Sequence, residues 1–401
     1  MENVLYKMVN YPQNSYIILE GEKKSIQFYI IKEGRINLKK DFPVAGEKTS
    51  EVIGPGDFFG VVSAMSQLPQ IESALSLTPV VLIAVSFTKF GELIQKNSPL
   101  AMKIIRYFSK KLRQFDDKNP GTTRPTANNS PSNLNIIYNL AEYYINLDQK
   151  QAAIYMLQSY IKHSPEGEFV EDAKSKLNDL GARETSNEQA KGTNRAFEKD
   201  QMVFCENEPG DDLFIVQKGK IRITKLINNT EVQLNIMKQG DIFGEMALLE
   251  NKPRSASASA LEESELLVIN KQNFEIMTQK QPQLMTRIIT ILSERIWNAY
   301  RKILNSYLQE TNARVLDMLM ILVERSKVKI ASGTFDFEIN FMDLFKMISI
   351  TEDLDKFAPK FINTYKFIKL EDGKIMCNDL MALERHVSVL RTKLKEQKII
   401  L

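Results

Sequence analysis

Short segments of alternating apolar and polar residues dominate two separate stretches of the 401-residue chain. The first stretch contains YIILEG, FYIIKEG and RINLKK, and the second contains LFIVQKG, KIRITKL and ELLVINK. Alternation of this kind between glycine-containing turns is typical of β-strands with one buried face. The two stretches share motifs, since G-R-I-N-L and G-P-G-D-F-F-G in residues 34–60 correspond to G-K-I-R-I-T and Q-G-D-I-F-G in residues 219–244. The pattern predicts two copies of a small antiparallel β-roll.

Each predicted β-roll ends in a segment with helical periodicity. After Pro282, one helix face carries residues at alternating spacings of four and three, namely Met285, Ile289, Leu292, Ile296, Ala299, Ile303 and Ser306. A seam with this spacing suits packing against a second helix. We therefore predict a homodimer through residues 282–308, with packing of an amphipathic helix on its own domain as the alternative.

The region between the two β-rolls, residues 134–180, also has helical periodicity. Its small and large side chains match the spacing of a tetratricopeptide repeat (TPR) at Ala141, Tyr144, Ala153, Leu157, Tyr160 and Pro165. Because one repeat cannot bury its own faces, we interpret this block as a spacer or docking surface. A plain helical hairpin is the alternative.

Composition and charge exclude several classes of protein. The net charge of +3 gives no electrostatic reason to expect nucleic acid, and the longest apolar run is too short to cross a bilayer. The first residues lack a secretory signal, so we predict a cytoplasmic location without a membrane span. Cys205 and Cys377 fall in different predicted domains, and no nucleophile, base or metal-ligand set occurs. From the sequence we therefore expect no disulfide framework, no bound metal, no cofactor and no enzymatic activity.

One motif in the second β-roll carries binding chemistry. Residues 240–260 are G-D-I-F-G-E-M-A-L-L-E-N-K-P-R-S-A-S-A-S-A. This motif resembles the phosphate-binding cassette of cyclic-nucleotide-binding domains, as in the catabolite activator family and the regulatory subunits of cyclic-AMP-dependent protein kinase. Positions upstream agree as well, namely Gly210, Asp211, Phe214 and Gly219. The resemblance extends over residues 197–308 and implies a sensor of a cyclic nucleotide.

Arg254 is the candidate for contact with the phosphate, because a guanidinium fork matches two exocyclic oxygens better than an ammonium does. Glu245 opens a short helical segment, whose N–H groups attract an anion. The resemblance implies that the Glu245 carboxylate accepts from the ribose hydroxyl and that Gly244 lets the backbone approach. It further implies that Ala247 packs near the phosphate and that Ser255 donates to it.

Four further residues complete the predicted ligand site: Met246, Ala256, Trp297 and Tyr300. Trp297 and Tyr300 are candidates for stacking on the base, with core or dimer packing as the alternative. Cyclic AMP is the predicted ligand, while cyclic GMP and a cyclic dinucleotide stay open.

The first β-roll lacks this chemistry. Val61 stands where the Glu belongs and Gln70 where the Arg belongs, so the charge-assisted bonds to a ligand are absent. We predict that this degenerate roll does not bind a cyclic nucleotide in the family's way. Another ligand, with Gln70 as a neutral donor, is the alternative.

The C-terminal region, residues 311–386, resembles the winged-helix domain of the same bacterial regulators. Its apolar positions agree at Ile339, Leu344, Met347, Ile348, Phe361, Phe367 and Ile368, and E-D-G-K-I stands at the wing turn. The segment that should enter the DNA major groove, residues 351–362, instead carries Glu352, Asp353 and Asp355, which phosphate repels. Pro359 also bends the predicted helix. We therefore predict a degenerate domain without tight, sequence-specific DNA binding.

The predicted fold class is α+β and multidomain, with two jelly-roll-type β-rolls, a helical TPR-like middle segment and a winged-helix-like domain. The predicted domains are residues 1–115, the degenerate roll; 133–181, the helical segment; 197–310, the binding roll with its long helix; and 311–401, the winged-helix-like domain and C-terminal helix. Segments 116–132 and 182–196 are predicted linkers.

Three functions agree with these features to different degrees. The leading hypothesis is a cyclic-nucleotide sensor that signals through a protein partner. The second is a ligand-responsive transcription regulator of the catabolite activator type, supported by domain order and opposed by the acidic segment 351–362. The third, a kinase regulatory subunit, lacks the expected inhibitory Arg-Arg segment.

Overall fold

The computed structural model describes residues 5–23, 26–42, 50–117, 134–182, 193–227, 230–245, 247, 252–330, 333–348, 350 and 352–399. The chain divides into two compact units, one of Met1–Phe90 with Ser293–Leu401 and the other of Gly91–Leu292. Most of both predicted linkers, at residues 118–132 and 183–192, lies outside the described residues.

The first β-roll consists of two antiparallel sheets. Its strands are β1 (Lys7–Tyr11), β2 (Tyr16–Ile18), β3 (Gln27–Glu33), β4 (Ile36–Lys39), β5 (Ser50–Ile53), β6 (Phe58–Phe59), β7 (Ser73–Ser76) and β8 (Val80–Ser86). They pair in the orders β1-β8-β3-β6 and β2-β7-β4-β5. Alternate residues such as Ile31, Ile36 and Leu82 pack into one core, as the period of two requires. The helices are α1 (Val61–Ser66), α2 (Phe90–Lys96) and α3 (Ser98–Asp117), with a turn of 3-10 helix at Phe87–Lys89.

Three helices form the middle block: α4 (Asn135–Asn146), α5 (Lys150–His163) and α6 (Val170–Asp179). Ala141, Ala153 and Tyr160 are buried in its core, which also includes Met202 and Cys205 of the following β-roll. The predicted helical content is confirmed, and the block packs on that roll. Its assignment to the tetratricopeptide class stays a prediction.

The second β-roll repeats the topology of the first. Its strands are β9 (Asn194–Phe197), β10 (Met202–Phe204), β11 (Asp212–Lys218), β12 (Ile221–Ile227), β13 (Thr230–Met237), β14 (Ile242–Phe243), β15 (Ser257–Ala260) and β16 (Ser264–Asn270). The sheet orders, β14-β11-β16-β9 and β10-β15-β12-β13, are those of the first roll in corresponding strands. The helices α7 (Lys271–Lys280) and α8 (Pro282–Ser306) follow. The predicted pair of β-rolls is therefore confirmed.

Both rolls have a glycine at the turn that begins the shared motifs G-R-I-N-L and G-K-I-R-I-T. Gly34 and Gly219 have φ values of +90° and +81°, in the left-handed region. A Cβ atom at Gly219 would fall 2.4 Å from the carbonyl oxygen of Glu263, and one at Gly34 would fall 2.5 Å from that of Pro79. Both turns therefore need a residue without a side chain.

The apolar seam of α8 is covered within the single chain. Met285, Ile289, Leu292 and Ile296 are each at most 1% exposed. Ala299 and Ile303 are half-buried, and Ser306 is exposed. The homodimer predicted through residues 282–308 has thus lost the apolar surface on which it was based. The alternative, packing of this helix within its own chain, accounts for these positions.

The C-terminal region combines helices with a small sheet. Its elements are α9 (Thr311–Ser326), β17 (Phe335–Asp336), α10 (Phe341–Ile348), α11 (Leu354–Thr364), β18 (Ile368–Glu371), β19 (Lys374–Cys377) and α12 (Leu380–Ile399). The strands pair in the order β17-β19-β18. Asp372 and Gly373 have φ values of 48° and 77°, which suit the tight turn predicted for E-D-G-K-I. Leu344, Ile348 and Phe361 are buried as expected, while winged-helix membership stays a prediction.

The structure describes most of the predicted DNA-reading segment, both cysteines and the long helices of the chain. Helix α11 contains Pro359 and covers most of the predicted reading segment, whereas Thr351 and the turn residue Ser349 lie outside the described residues. Cys205 and Cys377 are both buried free thiols. Within the described ranges, no helix combines the length and apolar character needed to cross a bilayer.

Candidate functional site

Arg254 is fixed by backbone contacts just before β15. Its N–H donates to the carbonyl of Glu208 at 2.9 Å, and its carbonyl accepts from the N–H of Asn207 at 2.9 Å. These paired bonds tie the segment of Arg254 to the loop between β10 and β11. The Arg254 side chain is only 5% exposed, so its charge is held inside the unit.

One nitrogen of the Arg254 guanidinium is used for anchoring. Nη1 donates to the carbonyl oxygens of Asp212 and Gly244, at 2.7 Å each. The guanidinium carbon also lies 4.3 Å from the centre of the Phe204 ring and 5.6 Å from that of Phe214. Cation–π contacts in a desolvated setting stabilise such a charge. The plane of the guanidinium is therefore set before any ligand arrives.

The other edge of the guanidinium faces Gly210. A Cβ atom at Gly210 would lie 2.6 Å from Nη2 and 2.7 Å from Nε of Arg254. Nε is buried and has no hydrogen-bond partner in the described part of the chain. Burial lowers the pKa of Arg254, while the nearby Glu208 and Asp212 carboxylates oppose this shift. A buried cation with an unused N–H is a site that an anionic acceptor would satisfy.

A cavity of about 820 Å³ opens beside Arg254. The second roll and helix α5 both contribute to its walls, with Phe204, Glu208 and Asp211 on one side and Tyr155 and Gln158 on the other. Glu208 is held there by the Tyr155 hydroxyl, which donates to Oε2 at 3.0 Å, and by the Cys205 N–H at 2.8 Å. Burial, together with the Glu208 carboxylate, raises the pKa of Tyr155 well above its usual range, so this hydroxyl stays a donor.

The other predicted cassette residues surround Arg254 without lining this cavity. Glu245, Ala247 and Ala256 are buried, and Ser255 is half-buried. Gly244 has φ +77°, and a Cβ atom there would lie 2.8 Å from Nη1 of Arg254, which explains the need for glycine. Met246 lies outside the described residues.

Trp297 and Tyr300 make their polar contacts within a single compact unit of the chain. Both belong to the compact unit of residues 1–90 and 293–401, whereas Arg254 belongs to the other. The indole N–H of Trp297 donates to the carbonyl of Pro69 at 3.0 Å, and the hydroxyl of Tyr300 donates to Glu20 at 2.8 Å. Buried Trp and Tyr need an acceptor for their polar ends, and here the first roll supplies it. These contacts agree with the alternative of core packing, and stacking of Trp297 and Tyr300 on a base stays a prediction.

A smaller cavity of about 250 Å³ lies between the first roll and the helices of the C-terminal region, lined in part by Glu20, Gln70 and Tyr300. Gln70 is 5% exposed, and its Oε1 atom has no hydrogen-bond partner among the described residues. Val61 begins α1 and is buried, so neither cassette position offers a charge. Burial, with the nearby Asp41, raises the pKa of Glu20 to about 7.

Sequence reasoning missed the residues that surround Arg254 from elsewhere in the chain. Tyr155 and Glu208 carry no motif, and only tertiary packing brings them to the site. Phe204 lies in a strand where an aromatic residue is ordinary. Across the ranges that the structure describes, no group of three or more His, Cys, Asp or Glu side chains is placed to hold a metal.

Two regions of the chain, residues 8–97 and 194–281, match the Cyclic nucleotide-binding domain family. The CRP-like cAMP-activated global transcriptional regulator of Mycobacterium tuberculosis is 26% identical over 130 residues, which are 32% of this chain and 58% of that protein. The cAMP-dependent protein kinase regulatory subunit of Yarrowia lipolytica is 23% identical over 259 residues, 65% of this chain and 50% of that protein. The matches thus span less than two thirds of these relatives.

A solved structure of the regulatory domain of Toxoplasma gondii PKA with cAMP is 16% identical, with a TM-score of 0.21. The match covers 71% of this chain and 85% of that one. The paired family matches agree with the two β-rolls and their shared strand order. The chain therefore contains two cyclic-nucleotide-binding domains in tandem, at residues 8–97 and 194–281.

Proposed function

We propose that the chain is a cyclic AMP sensor that binds its ligand in the second β-roll and signals through contacts with a protein partner. The observation that carries this proposal is the Arg254 guanidinium. It is buried, held in plane by Nη1, and has an Nε–H without a hydrogen-bond partner among the described residues. A phosphodiester would supply a negative charge and oxygen acceptors for the Nε–H of Arg254.

The remaining cassette residues have supporting parts in this proposal. Glu245 accepts from the ribose hydroxyl, Gly244 and Ala247 allow close approach, and Ser255 donates to the phosphate. Met246 and Ala256 complete the proposed cassette. The choice of cyclic AMP is supported by relatives whose names specify cAMP, in a mycobacterial regulator and a yeast kinase subunit.

The output of the sensor is proposed to be a protein contact, with a regulatory and not a catalytic role in the cytoplasm. The segment that leads into helix α11 carries the exposed acidic side chains of Glu352 and Asp353 where a DNA reader needs cations. An acidic surface of this kind favours a basic protein partner over a phosphate backbone.

A second candidate is a DNA-binding regulator of the catabolite activator type. The observation in its favour is the order of C-terminal elements, with a helix pair followed by the β18–β19 hairpin. The carboxylates at the start of α11, on Glu352, Asp353 and Asp355, are the observation against it.

Isothermal titration calorimetry tests the proposed ligand. We expect cyclic AMP to bind with one site per chain, and cyclic GMP and a cyclic dinucleotide to bind more weakly. Absence of heat and of any thermal stabilisation with all three ligands would refute the sensor proposal.

A further inference from the structure

Tyrosine–glutamate hydrogen bonds join the middle block to the second β-roll at two places within one compact unit. The Tyr144 hydroxyl of α4 donates to Oε1 of Glu231 on the edge strand β13 at 2.9 Å. The Tyr155 hydroxyl of α5 donates to Oε2 of Glu208 at 3.0 Å. Glu208 also bonds to the backbone of Arg254. The two contacts have the same chemistry, but they reach different parts of the roll.

Glu208 ends a tight turn over residues 205–208. Its N–H donates to the carbonyl of Cys205 at 3.2 Å, and Asn207 has a φ of 67°, in the left-handed region. Its carboxylate accepts the Cys205 N–H at 2.8 Å and the Tyr155 hydroxyl. The His163 ring lies 3.9 Å from this carboxylate, too far for a hydrogen bond. Tyr155 therefore shares the acceptor that stabilises the turn.

The same turn holds Arg254. The two backbone bonds of Arg254 with residues 207 and 208, at 2.9 Å each, place the segment before β15 against the turn. The guanidinium that extends from this backbone donates to the carbonyls of Asp212 and Gly244. A shift of the turn would therefore move the phosphate-facing group. One side-chain bond and one backbone bond connect Tyr155 to Arg254.

Apolar packing keeps α5 on the roll without help from the Tyr155 hydroxyl. Met156, Leu157 and Tyr160 of α5 are fully buried and share a core with Met202 and Cys205. Apolar burial is strong but has no direction, whereas a hydrogen bond has one. Removal of the hydroxyl should thus leave the block docked and free the turn.

We propose that the middle block regulates the affinity of the second roll for its ligand, with Tyr155 as a positioning residue that acts on Arg254 through Glu208. This inference rests on the proposed cyclic AMP site. A turn fixed before the ligand arrives lowers the cost of binding. Coupling between two sites is reciprocal, so the ligand in turn strengthens the docking of α5.

Calorimetric titration of cyclic AMP into the full chain compares Tyr155→Phe with its matched control, Tyr144→Phe. We expect Tyr155→Phe to weaken binding about fivefold, because the turn loses a hydrogen bond to a carboxylate. Tyr144→Phe removes the same kind of bond between the same two parts of the chain and should bind as the wild type does. Equal affinities of the two variants would overturn the inference.

A double variant separates positioning from a general loosening of the block. If Tyr155 acts through Glu208, Tyr155→Phe causes no further loss of affinity in a Glu208→Ala background. A loosened block would lower affinity in both backgrounds, and that result contradicts the role given to Tyr155.

Hydrogen exchange in the wild-type chain tests the coupling from the other side. Saturating cyclic AMP should slow exchange of amides in residues 150–163. Unchanged exchange there overturns the inference, even if Tyr155→Phe fails to fold. If Arg254→Ala abolishes binding while the two tyrosine variants bind alike, the proposed function stands and this inference fails. If the wild-type chain binds no cyclic AMP, both fail.

Discussion

At the scale of single residues, two glycines beside Arg254 are as important for the site as the side chains around it. Gly210 and Gly244 lie where a Cβ atom would come within 2.6–2.8 Å of the Arg254 guanidinium. Because these glycines have no side chains, Nη1 of Arg254 can donate to the carbonyls of Asp212 and Gly244. The Nε–Nη2 edge of the guanidinium then has room beside Gly210. The geometry of the cation is thus set by glycines whose own chemistry is inert.

We predict that Gly210→Ala weakens cyclic AMP binding without unfolding the protein. The new methyl group meets the end of a flexible side chain, so the guanidinium moves and the backbone does not. A displaced fork loses its bidentate geometry, and affinity should fall about tenfold. Gly54→Ala is the control, because a Cβ atom there meets nothing within 4 Å. Equal affinities of the two variants by calorimetry would contradict this role of Gly210.

Glu20 gives a pH-dependent prediction for the first unit. Its pKa is raised to about 7 by burial and by Asp41, above the usual 4.5. A carboxyl whose folded pKa is raised favours folding while protonated, so this contribution is complete below about pH 4.5 and is lost as pH rises through 7. The free energy of unfolding that Glu20 contributes is therefore about 3 kcal/mol larger at low pH than at high pH.

Urea unfolding at pH 5, 6, 7 and 8 measures that difference. The free energy of unfolding of Glu20→Gln should fall less from pH 5 to pH 8 than that of the wild type. Glu33→Gln, at an exposed position in the same roll, should follow the wild-type curve. Parallel curves for Glu20→Gln and the wild type would rule out proton uptake by Glu20.

At the scale of elements, the N-terminal end of α11 carries acidic side chains where a DNA-reading helix needs cations. Asp353 caps it by accepting the N–H of Asp355 at 3.2 Å, and its carboxylate also pairs with Lys356 at 2.9 Å. One of the few cations at this end of the helix is therefore partly neutralised. Capping carboxylates stabilise the helix start, so the acidic residues have a structural reason to be there.

We predict no tight, sequence-specific DNA binding by the full chain with or without cyclic AMP. Carboxylates at the start of α11 repel the phosphate backbone, which supplies much of the affinity in DNA complexes. Fluorescence anisotropy with random-sequence duplexes at low salt should show at most weak binding without sequence preference. Nanomolar, site-selective binding that weakens steeply with salt would restore the transcription-regulator hypothesis.

Elements that depend on local pattern could be predicted from sequence, and contacts between distant segments could not. The alternation in FYIIKEG and LFIVQKG specified strands because the period of a strand is local. Arg254 could be proposed as a phosphate-binding residue from sequence because its cassette is contiguous. Tyr155 could not, since only the packing of α5 on the second roll brings it to Glu208. The contacts of Trp297 and Tyr300 with Pro69 and Glu20 could not be predicted either, because helix periodicity does not reveal which residues each turn of α8 contacts.

At the scale of the whole molecule, burial of the α8 seam changes the expected oligomeric state. Met285, Ile289 and Leu292 have no surface left for a second copy. Homodimers normally need an exposed apolar patch at their interface. The chain has a mass of 46.0 kDa. We therefore predict a mass near this value by light scattering at micromolar concentration, with and without cyclic AMP. A mass near twice that value would mean that α8 or another surface pairs two chains.

The two β-rolls offer an internal control for the central claim, because one carries Arg254 and the other Gln70 at the equivalent position. Removing a desolvated charge-assisted pair costs about 2 to 5 kcal/mol. Arg254→Ala should therefore lower cyclic AMP affinity at least about 30-fold. Arg254→Lys should recover little, since an ammonium lacks the fork.

The most direct measurement is a calorimetric titration of cyclic AMP into the wild type, Arg254→Ala, Arg254→Lys and Gln70→Ala, with circular dichroism as a check on folding. We predict one ligand per chain in the wild type and in Gln70→Ala, at equal affinity, and strongly weakened binding in both Arg254 variants. Normal binding by a folded Arg254→Ala protein, or two ligands per wild-type chain, would contradict the assignment of the site to Arg254.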